Sequence, residues 1–134
     1  MSMTKREQQN RDWMQGALER MGFTSDEFRQ LRRISMTLSR WAERECGDGS
    51  DWAIERDEQT GKPYLTYHGL ARRRIPIADR EGGALRRLAK LMEAHPACVA
   101  YHQPDCRGAA VYVIERSRLT GPVDSCYTHG IAVY

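Results

Sequence analysis

No apolar run in the chain approaches the ~20 residues that a membrane-spanning helix needs, and the mean hydropathy is −0.70. The opening stretch M-S-M-T-K-R-E-Q-Q-N-R holds no apolar signal segment, so a cytoplasmic protein without membrane contact is expected. Cysteine is scarce. The four thiols, at 46, 98, 106 and 126, form no C-x-x-C pair, which predicts reduced cysteines rather than a disulfide framework. Lysine is scarcer still: three of the 21 basic residues, at 5, 62 and 90, against 18 arginines. Arginine suits bidentate contact with phosphate or carboxylate, although a GC-rich coding sequence produces the same bias. Walker loops, G-x-G-x-x-G, G-x-S-x-G, kinase motifs and H-E-x-x-H are all missing, which removes the common nucleotide-hydrolysing, hydrolase and zinc-protease readings. The turn at 47–51 lacks the spacing and closing Glu of a calcium loop.

What the chain does have is 40% hydrophobic and 29% charged residues over 134 positions, enough for one folded domain spanning 1–134. Charge is unevenly placed: seven acids against two arginines between 41 and 59, ten bases against five acids between 72 and 118. Such asymmetry suits a local anion site or pairing between copies.

The fold class expected is α+β: a helical part (1–46), then a small, mostly antiparallel sheet of about five strands (50–134) carrying one further helix near 80–94. Trp13, Met14, Ala17, Leu18 and Met21 recur at helical spacing and Gly22 follows as a stop. Thr24 with Glu27 reads as a capping box opening a second helix. That helix has an apolar stripe of Phe28, Leu31, Ile34 (or Ser35), Leu38, Trp41 and Ala42, and a solvent face of Arg29, Arg32, Arg33 and Arg40. Residues 52–56 and 64–68 flank a hairpin turn containing Gly61. An extended segment at 70–77 follows, where Arg72 and Arg74 share a face and Arg73 does not. Asp79 is the expected N-cap of the third helix, and Gly82-Gly83 near its start suggests close packing. Residues 126–134 end the chain as a strand. Trp13, Met14, Met36 and Trp41 are more apolar surface than two helices hide against one sheet, so a homo-oligomer, a dimer or larger, is expected.

The chain is organised around 98–115, two apolar, β-rich runs joined by P-D-C-R-G at 104–108. Strand alternation puts Val99, Tyr101 and Gln103 on one face and Cys98, Ala100 and His102 on the other, while 109–114 reads as a strand covered on both faces. Its tip is either an ordinary turn or a recognition loop. Around it Tyr101, Asp105, Arg107, Gly108, Tyr112, Arg116, Tyr127 and His129 make a nucleotide-binding vocabulary: rings to stack, arginines for phosphate, a carboxylate for a ribose or an amine. An Arg/Tyr-rich protein interface has the same composition. Two catalytic arrangements stay open: Cys106 with a histidine as nucleophile, or His102 and His129 as an acid/base pair with Arg107 on a phosphate. The cysteines and His68, His95, His102 and His129 lack the close pairs of a zinc site, so no metal or cofactor is expected.

The blocks at 31–49, 52–64, 84–92, 105–114 and 129–134 are similar to small proteins of phages and prophages of proteobacteria, whose corresponding tip commonly reads D-P-R-G. Cys106 stands here in place of that proline, which loosens the turn and argues against a catalytic thiol. In layout, helices first and a late D-x-R-G strand tip, the chain resembles the phage anti-Thoeris proteins. That resemblance implies a non-enzymatic homo-oligomer of the bacterial cytoplasm that sequesters a cyclic ADP-ribose-like signal. Of the family's ligand residues only the tip is matched. A cyclic dinucleotide is a related ligand, and a protein-interaction inhibitor or a nucleic-acid-binding accessory protein is the alternative, with nucleic acid disfavoured.

Overall fold

A computed structural model of the chain describes residues 3–46, 52–67, 73–105, 108–119 and 130–134, with the backbone alone at Cys46, Pro104, Asp105, Gly108 and Ala109. Helix α1 (Lys5–Arg20) starts from Thr4, whose hydroxyl accepts from the Glu7 amide while the Glu7 carboxylate accepts from the Thr4 amide. This capping box satisfies two of the amides that a helix start leaves unpaired. Gly22, at φ 99°, ends the turn in the left-handed region that glycine tolerates. A second box, Thr24 with Glu27 at 3.0 and 3.1 Å, opens α2 (Ser25–Cys46) as its spacing predicts. Helix α3 (Asp79–Glu93) differs from expectation at its start: Ala78 is the N-cap and makes no side-chain cap bond, while Asp79 sits within the first turn.

The protein is α+β, but its strands form two sheets rather than one. Strands β1 (Trp52–Arg56), β2 (Pro63–Tyr67) and β3 (Arg73–Pro76) make an antiparallel sheet in that order. Strands β4 (Cys98–Asp105), β5 (Gly108–Glu115) and β6 (Ile131–Val133) make the second, with β6 at its edge. The β4–β5 ladder runs to Asp105↔Gly108, so the connection at the tip is shorter than the five residues read from the sequence. A short 3-10 turn (Arg116–Arg118) follows β5.

Helix α2, 22 residues long, spans both sheets. Its Leu31, Ile34 and Leu38 join Val111, Val113 and Val133 in one core cluster, which α3 completes with Ala84, Leu88 and Leu91. Its last turns place Trp41 and Ala42 against Trp52 and Leu65 of the first sheet in a second cluster. Met14 and Trp41, counted above as surplus apolar surface, are therefore core, whereas Trp13 and Met36 are 59% and 39% exposed. Trp13 turns outward because it lies about a quarter turn from the centre of the Met14, Ala17, Leu18 and Met21 face at 3.6 residues per turn. The buried Ser35 hydroxyl donates to the Val133 carbonyl at 2.6 Å and accepts from the Val111 amide at 3.0 Å, binding α2 to two neighbouring strands.

The glycine pair of α3 has no packing reason. A Cβ on Gly83 would meet only the guanidinium ends of Arg87 at 3.5 Å and Arg86 at 3.8 Å, and one on Gly82 makes ordinary contacts at 3.6 Å. Gly83→Ala should therefore raise the unfolding free energy by about 0.5–1 kcal/mol in urea denaturation. A loss of stability would show that the position needs glycine.

Candidate functional site

The predicted residues do not all converge. Tyr101 and Tyr112 pair directly across β4 and β5, their rings stacked at 5.4 Å and 14°. They occupy the sheet face opposite to Cys98, Ala100 and His102, as alternation requires. The Tyr101 hydroxyl accepts from the Gly130 amide at 2.9 Å. Burial raises its pKa and this bond opposes the rise. A Cβ on Gly130 would stand 2.7 Å from that hydroxyl and 3.0 Å from the Val113 carbonyl, so glycine is needed there for close approach. Tyr101 thus anchors the chain where it enters β6.

Arg116 lies at the other end of the hairpin from the tip. Between Cys98↔Glu115 and Asp105↔Gly108 the ladder runs seven residue steps, which separates the ends by about 23 Å. The Arg116 guanidinium donates to the Pro96 carbonyl at 3.3 Å and its amide to Ala97 at 2.7 Å, bracing the base. At the tip only the backbone of Asp105 and Gly108 is described. Arg107, Tyr127 and His129 lie outside the described residues, as do Cys106, Cys126, His68 and Arg72.

Of the residues in the two catalytic arrangements only His102 is described, since Cys106, Arg107 and His129 lie outside the described residues. His102 points into the helix-covered face, is 8% exposed and stacks on Trp52 at 5.1 Å, so it is packed rather than poised over a substrate. Cys98, which belongs to neither arrangement, is a packed thiol whose pKa is raised by burial, then by the Glu115 carboxylate, against the influence of Arg116. Among the described residues no three His, Cys, Asp or Glu side chains gather as a metal site.

The strand edges are also accounted for. Helix α1 packs beside β6, and β3 presents Arg73, Arg74 and Pro76, side chains that discourage edge pairing. The edges of β1 and β4 face each other across a cleft of about 670 Å³ lined on one side by α3. A strand inserted there would need its neighbours ~9.6 Å apart, yet Cα atoms of β1 and β4 come within 8 Å. The converging end of this cleft, closed by the Trp52–His102 stack, does not admit a strand.

A second cleft, of about 680 Å³, lies between α1 and β6. Its walls carry Arg11, Trp13, Arg32 and Ala132, and Ala132 is the cross-strand neighbour of Tyr112, so the cleft adjoins the tyrosine pair. Arg32, expected on the solvent face of α2, turns inward and donates to a main-chain oxygen of Tyr134 at 2.6 Å. Burial, and then the charge of Arg11, pull its guanidinium below the ordinary arginine value. Among the described residues no Asp or Glu side chain lies within ion-pair distance of Arg11 or Arg32, while a main-chain oxygen of Tyr134, the last residue of the sequence, lies 2.6 Å from Arg32. Two arginines that repel each other beside an exposed indole make a place where an anion carrying a flat ring gains both charge pairing and stacking. The sequence hid this set: the three residues come from two helices, and Trp13 reads as part of an apolar stripe.

No helix among the described residues is long and apolar enough to cross a membrane. No family model matches the chain, and no curated protein or solved structure matches it significantly.

Proposed function

We propose that the protein binds a phosphate-bearing nucleotide in the α1–β6 cleft and holds it without converting it. In this reading it is a phage-type anti-defence protein that sequesters a cyclic nucleotide immune signal, cyclic ADP-ribose-like or a cyclic dinucleotide, in the bacterial cytoplasm. The observation that carries it is the convergence of Arg11, Arg32 and the exposed Trp13 in one cleft of nucleotide size. The packing of His102 against Trp52 supports binding over catalysis. The self-association expected from the sequence belongs to the same proposal, with Met36 on the outer face of α2 as an apolar side chain left open. A monomer mass in light scattering at micromolar concentration would remove that part.

Trp13 supplies the assay. Trp41 and Trp52 are buried, so a ligand in this cleft should quench Trp13 emission, and Trp13→Phe should remove the signal. With a panel of cyclic nucleotides followed by native mass spectrometry, bound ligand should be released intact on heating; a converted product would replace sequestration by catalysis. Arg11→Ala is the cleaner variant because Arg32 also holds Tyr134. It should weaken binding about 10- to 100-fold, the worth of a charge-assisted hydrogen bond, with little change in melting temperature. If Arg107→Ala abolishes binding and Arg11→Ala does not, the ligand belongs to the hairpin tip.

A further inference from the structure

The β1–β2 hairpin and the end of β3 stand beside the first half of α3, and between them runs a groove of about 560 Å³. Its apolar lining comes from Ile77, Leu85 and Ala89, and its basic side chains are Arg56, Lys62, Arg74 and Arg86. Arg74 is engaged, lying over the Tyr64 ring at 4.4 Å with Asp57 at 4.0 Å. Arg56, Lys62 and Arg86 have no carboxylate partner among the described residues.

The two acids on the same walls have structural tasks. Asp57 accepts from the amides of Gln59 at 2.9 Å and Thr60 at 3.0 Å, shaping the hairpin turn. Asp79 sits in the first turn of α3, where the helix dipole favours an acid. What remains toward solvent is a positive rim over an aliphatic floor. Through Arg56, Pro63, Leu85 and Ala89 the groove continues into the β1–β4 cleft as far as Met92. The 15 residues of α3 span about 22 Å, the length of about seven extended residues.

We propose that this groove docks an acidic segment of another protein, its apolar side chains on Ile77, Leu85 and Ala89 and its carboxylates on Arg56, Lys62 and Arg86. The site shares no residue with the α1–β6 cleft, so it stands apart from the nucleotide reading. Single-stranded nucleic acid fits the same charge less well. Binding of that kind relies on open aromatic faces, and here Tyr64 already lies under Arg74, as Tyr67 does under Arg73 at 5.8 Å.

Fluorescence anisotropy on the full chain tests this with three labelled probes: an alternating Glu-Leu peptide of about eight residues, its Glu-Ser counterpart, and an oligothymidylate of equal length. The Glu-Leu peptide should bind best and weaken as salt rises. The exposed pair Arg56→Glu with Arg86→Glu should reduce its affinity at least about 10-fold, with the melting temperature held. Arg11→Ala should leave it unchanged. Equal binding of the Glu-Ser peptide, tighter binding of the oligothymidylate, indifference to the double reversal, or no binding at all would each overturn the proposal.

Discussion

Trp52→Ala should lower the unfolding free energy by about 3–5 kcal/mol, the range for removing a large aromatic side chain from a core. Trp52 is fully buried. It packs with Trp41, Ala42 and Leu65 on one side and stacks on His102 of the other sheet. Its loss empties the second core cluster and removes the ring that joins β1 to β4. The Nε1 donor of Trp52 is buried with no acceptor among the described residues, so the indole contributes through area and shape rather than through a hydrogen bond. Trp52→Phe should accordingly recover most of the loss, since a phenyl ring keeps the stack and leaves no polar atom unpaired. Urea titrations of both variants decide it. If the Phe variant is as unstable as the Ala variant, the indole N–H has a partner that matters.

Glu27→Ala comes next in size, at about 2–4 kcal/mol, because one carboxylate serves two purposes. It closes the capping box with Thr24, worth about 1 kcal/mol, and it meets the His95 Nε2 at 2.6 Å with both side chains largely buried. A hydrogen bond to a charged group contributes about 1.5–3 kcal/mol. The Phe23 ring stacks on the His95 imidazole at 3.8 Å, so the contact fastens the α1–α2 turn to the junction of α3 and β4. Burial works to raise the Glu27 pKa, but the Thr24 amide and His95 outweigh it and hold the carboxyl below its ordinary value. A folded-state pKa below the unfolded one gives stability that is present above the unfolded value and lost as pH falls through the folded value. Glu27→Gln keeps the cap geometry and can still bond His95, but it does not titrate. Its deficit should shrink as the solution is acidified below the ordinary glutamate range, whereas that of Glu27→Ala should persist in part through the lost cap. Parallel acid profiles for the two variants would refute the assignment.

Much of the fold was legible along the chain. The Thr24–Glu27 box, Gly22 as a stop, the β1–β2 hairpin and the alternation of β4 are all local signals, set by amide capping, positive φ and the two-residue period of a strand. The covered character of β5 was legible too, and Ala110, Val111, Val113 and Ile114 are buried. Asp79 misled because a good capping residue next to a helix start is only a preference, and here the chain enters α3 one residue earlier.

The candidate sites were far less legible, for a physical reason. Sequence alone determined the class of the fold, the identity and rough bounds of its helices and hairpins, and the abundance of arginine available for anion binding. It could not determine how far each helix turns about its own axis, because that rotation is fixed by the partner surface it buries. Rotation sends Trp13 outward and Arg32 inward, and so brings Arg32 and Arg11 to one cleft. Nor could it determine which strands pair across long separations. The tertiary structure splits the strands into two sheets at β1 and β4, sets Arg116 about 23 Å from the tip it was grouped with, and joins Glu27 to His95 across 68 residues. These depend on contacts between segments remote in the chain, whose registers no local pattern encodes.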